Sequence, residues 1–112
     1  MELVDEVRDG VLVVQVRDSR IDASRATLFK DEINKRTDMS QMKLVLDLTL
    51  VEFIDSLGLG AIVSCFKRMG GKGRLVIVGA KGAVSRLFSL TRMDKVFPLY
   101  PTLEEAMASE QR

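Results

Sequence analysis

Short apolar runs and amphipathic stretches alternate along this chain. Residues 11–16, Val-Leu-Val-Val-Gln-Val, form a β-branched run bounded by Asp9-Gly10 and Arg17-Asp18, which predicts a strand. Residues 3–7 before it predict a hairpin partner, with Arg8-Asp9-Gly10 as the turn. Next, Asp22 or Ser24 is placed to cap a helix running to about Thr37. Its apolar positions Ala26, Phe29 and Ile33 recur at three- and four-residue steps, and Lys30, Glu32 and Lys35 are left for solvent. Residues 37–41 are polar and read as a connection.

A second buried strand is expected over 44–48, continued loosely through Val51 and Phe53 to Ile54. A helix then starts at Ser56 or Leu57. Leu59, Ile62, Val63, Phe66 and Met69 mark its stripe, Lys67 and Arg68 suit its negative end, and Gly70-Gly71 stops it. Residues 75–78 predict a third strand ended by Gly79, and Val84, Leu87 and Phe88 a short helix. Residues 96–100 predict an edge strand, because Pro98 cannot donate to a central ladder. Thr102 and Glu105 form a capping-box pattern for a last helix through Met107, with 109–112 frayed. This rhythm predicts an α/β fold in one domain over 1–112, ordered core 3–108. Its sheet is mixed but largely parallel, with about four helices.

Charge adds an exclusion. Seventeen basic residues face sixteen acidic ones, so no basic excess points to nucleic acid. Histidine is absent, which removes the commonest general base and metal ligand together. The one cysteine, Cys65, permits neither an internal disulfide nor a thiolate metal cluster, and its place near the helix stripe predicts a packed side chain. The acidic opening is no signal peptide, and no stretch reaches the roughly 18 apolar residues of a membrane span. A cytoplasmic protein without membrane attachment, cofactor or metal is therefore expected.

The glycine segments carry little nucleotide chemistry. Gly58-Leu59-Gly60 sits at a strand-to-helix junction, but Val63 stands where a dinucleotide fingerprint needs its third glycine. Gly70-Gly71-Lys72-Gly73 follows a helix and precedes a strand, the reverse of a phosphate loop. Ser56 carries more. A hydroxyl at a helix start faces free N–H groups and the positive end of the dipole, so it serves as a plain cap or accepts a phosphate without unfolding the helix. A phosphate adds about −1.5 to −2 charge beside Asp55 and an apolar contact of Leu57 and Leu59 with small Gly58 and Gly60.

The run Leu44-Val45-Leu46-Asp47-Leu48 followed by Phe53-Ile54-Asp55-Ser56-Leu57-Gly58-Leu59-Gly60 resembles the STAS domain of bacterial anti-sigma factor antagonists. Arg20-Ile21-Asp22-Ala23, residues 73–79 and residues 84–97 resemble the corresponding loop, strand and closing portion of that family. The resemblance implies a non-enzymatic partner switch. The unphosphorylated antagonist binds an anti-sigma factor that is a GHKL-type serine kinase, releasing the sigma factor. Phosphorylation at Ser56 blocks binding, and a PP2C-type phosphatase restores it. By the same matching, Asp22 lies beside the serine, Asp55 shapes the turn, and Gly58 admits a partner backbone. Together with Ser56, Leu57, Leu59 and Gly60 they make the expected partner surface. Leu57 departs from the family, which usually has a second Ser or Thr there. Two rivals remain: a STAS scaffold subunit acting on another target, with Ser56 only a cap, and a small nucleotide-binding enzyme.

Overall fold

The β-branched runs assemble into one sheet because each is apolar on both faces and must be covered twice. The computed structural model describes residues 1–37, 43–70 and 73–110. Strands β1 (Leu3–Arg8) and β2 (Val11–Val16) form the expected antiparallel hairpin, turned by Asp9 and Gly10 at positive φ. After a two-residue strand β3 (Arg20–Ile21) comes helix α1 (Ala26–Arg36), then β4 (Lys43–Asp47), a second two-residue strand β5 (Phe53–Ile54) and helix α2 (Ser56–Arg68). Strand β6 (Arg74–Val78), helix α3 (Gly82–Leu90), a 3-10 turn (Met93–Lys95), β7 (Leu99–Tyr100) and α4 (Leu103–Glu110) complete the order. The main sheet runs β1-β2-β4-β6-β7, with every pairing after the hairpin parallel.

Alternation along the strands sorts the core into two layers. Leu12, Val14, Leu44, Leu46, Leu75 and Ile77 pack with Phe29 and Ile33 of α1, Leu59 and Ile62 of α2 and Val84 and Phe88 of α3. Val11, Val13, Val45, Val76 and Val78 point the other way, against Ala106 and Met107 of α4. Cys65 is buried in the first layer, and burial pushes its thiol pKa up to about 11. It is a packed side chain.

Four expectations need correction. The strand expected to continue to Ile54 ends at Asp47. Asp47 Oδ1 accepts from Thr49 N (2.9 Å) and Thr49 Oγ1 (2.5 Å), which turns the chain out of the sheet. β5 then pairs with β3 in a separate parallel two-stranded sheet. The cap residue of α1 is Arg25, without a side-chain cap bond, because Asp22 is engaged in the preceding turn. The predicted edge strand over 96–100 shrinks to Leu99–Tyr100, since a 3-10 turn occupies the approach; it does lie at the sheet edge. Finally α4 runs past Met107 to Glu110, so Ser109 and Glu110 are helical rather than frayed. The connection expected over 37–41 and the second glycine of Gly70-Gly71 fall largely outside the described residues.

Glu110 explains the longer helix. Its carboxylate is buried and takes both Arg74 Nε and Arg74 Nη2 (3.0 Å to the latter), while Tyr100 Oη donates to it at 3.1 Å. Lys43 Nζ donates to its backbone carbonyl at 2.7 Å. These bonds fasten the end of α4 across β4, β6 and β7. The Arg74 bond chiefly holds the Glu110 pKa below its ordinary value, against the opposing effect of burial. A carboxyl whose folded pKa lies below its unfolded pKa stabilises the fold above the unfolded value and loses that contribution as pH falls through the folded one. Urea unfolding followed from pH 7 down to pH 3 should therefore show stability falling below about pH 4.3. Glu110→Gln should remove part of that fall while lowering stability at pH 7.

The closest backbone approach is at Gly58, where a Cβ would collide with the carbonyl of Ile21 and touch Ile54. Gly58→Ala should cost about 1–3 kcal/mol of stability, outweighing the roughly 1 kcal/mol that alanine gains in a helix. Thermal unfolding should show the midpoint falling by several degrees. An unchanged or higher midpoint would mean that α2 does not abut β3 this closely.

Candidate functional site

The two-stranded sheet β3–β5 presents the start of α2 beside the loop before α1. Asp55 joins them. As the α2 N-cap residue its Oδ1 accepts from Gly58 N at 2.8 Å, and its Oδ2 accepts from Ala23 N at 2.9 Å. One carboxylate thus satisfies a free helix N–H and holds the neighbouring loop. Because Asp55 is the cap, Ser56 is the first helical residue rather than the cap, which corrects one of its two sequence readings. Its side chain is exposed. With Gly58 N bound to Asp55 and Leu59 N bound to the Asp55 carbonyl at 2.9 Å, the N–H groups of Ser56 and Leu57 are left without an intrahelical acceptor.

Asp22 is one residue from the Asp55 clamp. Its Oδ1 accepts from Ser24 N (3.1 Å) and Ser24 Oγ (2.6 Å), and its Oδ2 from Arg20 Nε (3.0 Å). The Ser24 bond first and the Arg20 bond second hold its pKa far below the usual carboxylate range. Arg25 bridges to Asp18 at 2.9 Å and approaches Asp22 at 3.5 Å. Burial raises the Asp18 pKa, and the bonds from Arg20 N–H and Arg25 outweigh it, leaving a net lowering. Both aspartates are therefore anions at neutral pH, and the loop before α1 is pinned by charge rather than by packing. The Arg20 guanidinium also stacks 4.4 Å from the centre of the Phe53 ring.

The expected partner residues divide by orientation. Ser56, Leu57 and Gly60 are exposed, and Asp22 and Asp55 are half-buried at the loop junction. Two turn inward. Gly58 is buried against the chain's own Ile21 carbonyl, so its missing side chain admits an internal strand and not a partner backbone. Leu59 is only 5% exposed and belongs to the core, because it stands three residues before the buried Ile62 and two after the exposed Leu57, on the sheet side of α2. The flat contact expected from Leu57 and Leu59 together therefore reduces to Leu57.

Two hollows flank the exposed ridge of α2. One, about 520 Å³, is bordered on α2 by Ser56, Gly60, Val63 and Lys67, with the edge of Leu59 at its floor, and by Thr91 and Met93 beyond α3. The other, about 260 Å³, lies between α1 and α2 and has Leu57 on its wall. Sequence reasoning gave no role to Asp18, Arg20, Arg25 and Phe53: Asp18 meets Arg20 N and Arg25 across the short loop, and Arg20 meets Phe53 where β3 and β5 pair. It also missed Thr91 and Met93, brought beside Ser56 by the turn after α3. Among the described residues no group of three or more His, Cys, Asp or Glu could hold a metal, and no helix is long and apolar enough to cross a membrane.

Comparison with known proteins agrees with this architecture. The family model for the STAS domain matches residues 2–106. A protein of Thermotoga maritima named as an anti-sigma factor antagonist is 31% identical, over 99% of this chain and 96% of its own length. The anti-sigma-F factor antagonist RsfB of Mycobacterium tuberculosis is 28% identical, over 88% of this chain and 80% of its own. The crystal structure of an anti-sigma factor antagonist from Mycobacterium paratuberculosis superposes with a TM-score of 0.88 at 34% identity, covering 99% of this chain and 94% of that one. The sheet order, the helix layers and these matches lead to one assignment: this chain belongs to the STAS domain family, among relatives named anti-sigma factor antagonists.

Proposed function

We propose that this chain is an anti-sigma factor antagonist that works as a phosphorylation-controlled partner switch. The observation that carries the reading is the exposed Ser56 at the first position of α2, held from behind by the Asp55 clamp. An added phosphate there meets the positive end of the helix and the spare N–H groups of Ser56 and Leu57, so the helix start tolerates it. Its charge falls next to Asp55 and on the exposed ridge of α2, where it alters the contact surface while the core behind stays packed.

In this reading the unphosphorylated protein binds an anti-sigma factor that is also a GHKL-type serine kinase, and so frees the sigma factor. The kinase transfers phosphate from ATP to Ser56, which ends the binding, and a PP2C-type phosphatase resets it. The protein itself performs no catalysis. Asp22 and Asp55 act by fixing the loop and the helix start at one height, so that Ser56 and Leu57 are presented on a preformed surface. The names of the related antagonists support the target, and the geometry of Ser56 supports the switch.

Surface plasmon resonance against the purified anti-sigma factor kinase should show Ser56→Asp binding at least about tenfold more weakly than wild type, or ~1.4 kcal/mol. Ser56→Ala should keep wild-type affinity and incorporate no phosphate with ATP and magnesium. Equal affinity of Ser56→Asp and wild type would sink the switch. Phosphate found on another residue of Ser56→Ala would move the acceptor elsewhere.

A further inference from the structure

The two edges of the main sheet are built differently. At one, β7 is only two residues long, with Pro98 before it and Pro101 after it. Short strands and proline are what keep an edge from pairing with another chain. At the other, β1 runs six residues in unbroken register with β2, without bulge or proline. All of it after Leu3 is exposed, including Val4 (43%) and Val7 (74%). Arg17 N donates to Glu2 O at 2.8 Å, so Glu2, Val4, Glu6 and Arg8 turn their backbone groups toward β2. By alternation the N–H and C=O groups of Leu3, Asp5 and Val7 point to the open edge, where among the described residues nothing pairs with them.

We infer that the β1 edge binds a second copy of this chain, the two β1 strands pairing antiparallel across a twofold axis at Asp5. Residues whose numbers sum to ten then lie opposite one another. A twofold axis through the sheet keeps each side chain on its own face, so only even sums are possible, and the neighbouring ones fail. A sum of twelve sets Glu6 against Glu6 of the second copy and Asp5 against its Val7. A sum of eight sets Glu2 against its Glu6 and Leu3 against its Asp5. Any larger shift pairs three strand residues or fewer. At a sum of ten the whole of Leu3–Val7 is paired, with Leu3 opposite Val7 and Glu2 opposite Arg8, each twice, and Val4 opposite Glu6. The most exposed apolar side chain of the strand is thereby covered, and an ion pair closes each end. The like-charge contact of Asp5 with Asp5 is met on each side by Arg36, whose Nε lies 3.1 Å from Asp5 Oδ1. The present contacts of Glu2 with Arg17 at 3.9 Å and Glu6 with Arg8 at 2.8 Å are exposed pairs of little worth, free to rearrange. One strand pair buries less than the roughly 800 Å² per partner of a standard interface, so the dimer is weak, with a Kd of about 10–100 micromolar. None of the residues around Ser56 belongs to β1, so the dimer presents that site twice and does not depend on the switch.

Sedimentation equilibrium of the full chain from about 10 micromolar to about 1 millimolar should show wild type passing from monomer to dimer. A chain that stays monomeric throughout overturns the inference. Val7→Pro should weaken the dimer at least about tenfold, because it removes an outward N–H and leaves the bonds to β2 intact. Val7→Lys alters only an exposed side chain and should weaken the dimer likewise, with an unchanged thermal midpoint. Leu90→Lys, at an 82% exposed position of α3, should leave dimerisation as it is. A dimer unchanged in both Val7 variants overturns the inference, whatever Leu90→Lys does. Arg36→Met should weaken the dimer by leaving the two Asp5 carboxylates facing each other, and adding Asp5→Asn should restore it. For the axis, Asp5→Cys should form a disulfide-linked dimer in oxidised glutathione, since Cα atoms of such a pair lie about 5.5 Å apart, and Glu6→Cys should not. Cross-linking of Glu6→Cys in place of Asp5→Cys overturns the axis at Asp5; the native Cys65 is buried and takes no part.

Discussion

The Asp55 carboxylate makes two bonds that belong to different parts of the chain. One oxygen takes Gly58 N–H inside α2, and the other takes Ala23 N–H in the loop before α1, thirty-two residues away in sequence. A carboxylate accepting two backbone donors is a strong, directional tie. It can form only because β3 and β5 lie side by side and because Gly58 lets α2 touch the Ile21 carbonyl. Those three features depend on one another. Without the glycine the helix start would stand away from β3, and the Ala23 bond would stretch beyond reach. Without the carboxylate a helix N–H and a loop N–H would both need new acceptors.

Much of the main sheet was legible from the chain because its signals are local. β2 and β6 are apolar runs with polar punctuation, and α2 carries an apolar stripe ending in Lys67 and Arg68. The hairpin of β1 and β2 needed only Asp9-Gly10 to specify its turn. The small sheet was not legible. Arg20–Ile21 and Phe53–Ile54 are two residues each, too short for any periodicity, and their pairing depends on segments far apart in sequence. The role of Glu110 is hidden in the sequence for a related reason. A lone acid near the end of a polar segment looks like a solvated tail, and its value lies in Arg74, Tyr100 and Lys43, which come from other strands.

The site was legible in part, and the division follows helix geometry. The segment from Asp55 to Gly60 reads in sequence as one surface, yet a helix distributes six consecutive residues around its whole circumference. Ser56, Leu57 and Gly60 face outward, while Gly58 and Leu59 face β3 and the core. The motif is therefore not one continuous contact. Its two halves do different jobs: the inward residues seat α2 on the small sheet, and the outward ones are what another molecule meets. The glycine most suggestive of a partner is explained by the chain's own backbone.

That separation bears on how a charge at Ser56 could matter without disturbing the fold. The ties that hold the helix start run inward and sideways through Gly58, Leu59 and Asp55, and the Ser56 hydroxyl takes part in none of them. The loop carrying Asp22 is fixed by Arg20, Ser24 and Arg25 as well as by the Asp55 bond to Ala23 N, and none of these bonds uses the Ser56 side chain. A negative charge added at position 56 thus meets spare helix N–H groups on one side and Asp55 on the other, attraction and repulsion in the same turn. Because the Asp55 carboxylate is already engaged by two N–H donors, part of its charge is compensated, which lowers the repulsion a neighbouring phosphate would face. The residue that builds the site is in this way also the one that makes a second anion beside it tolerable.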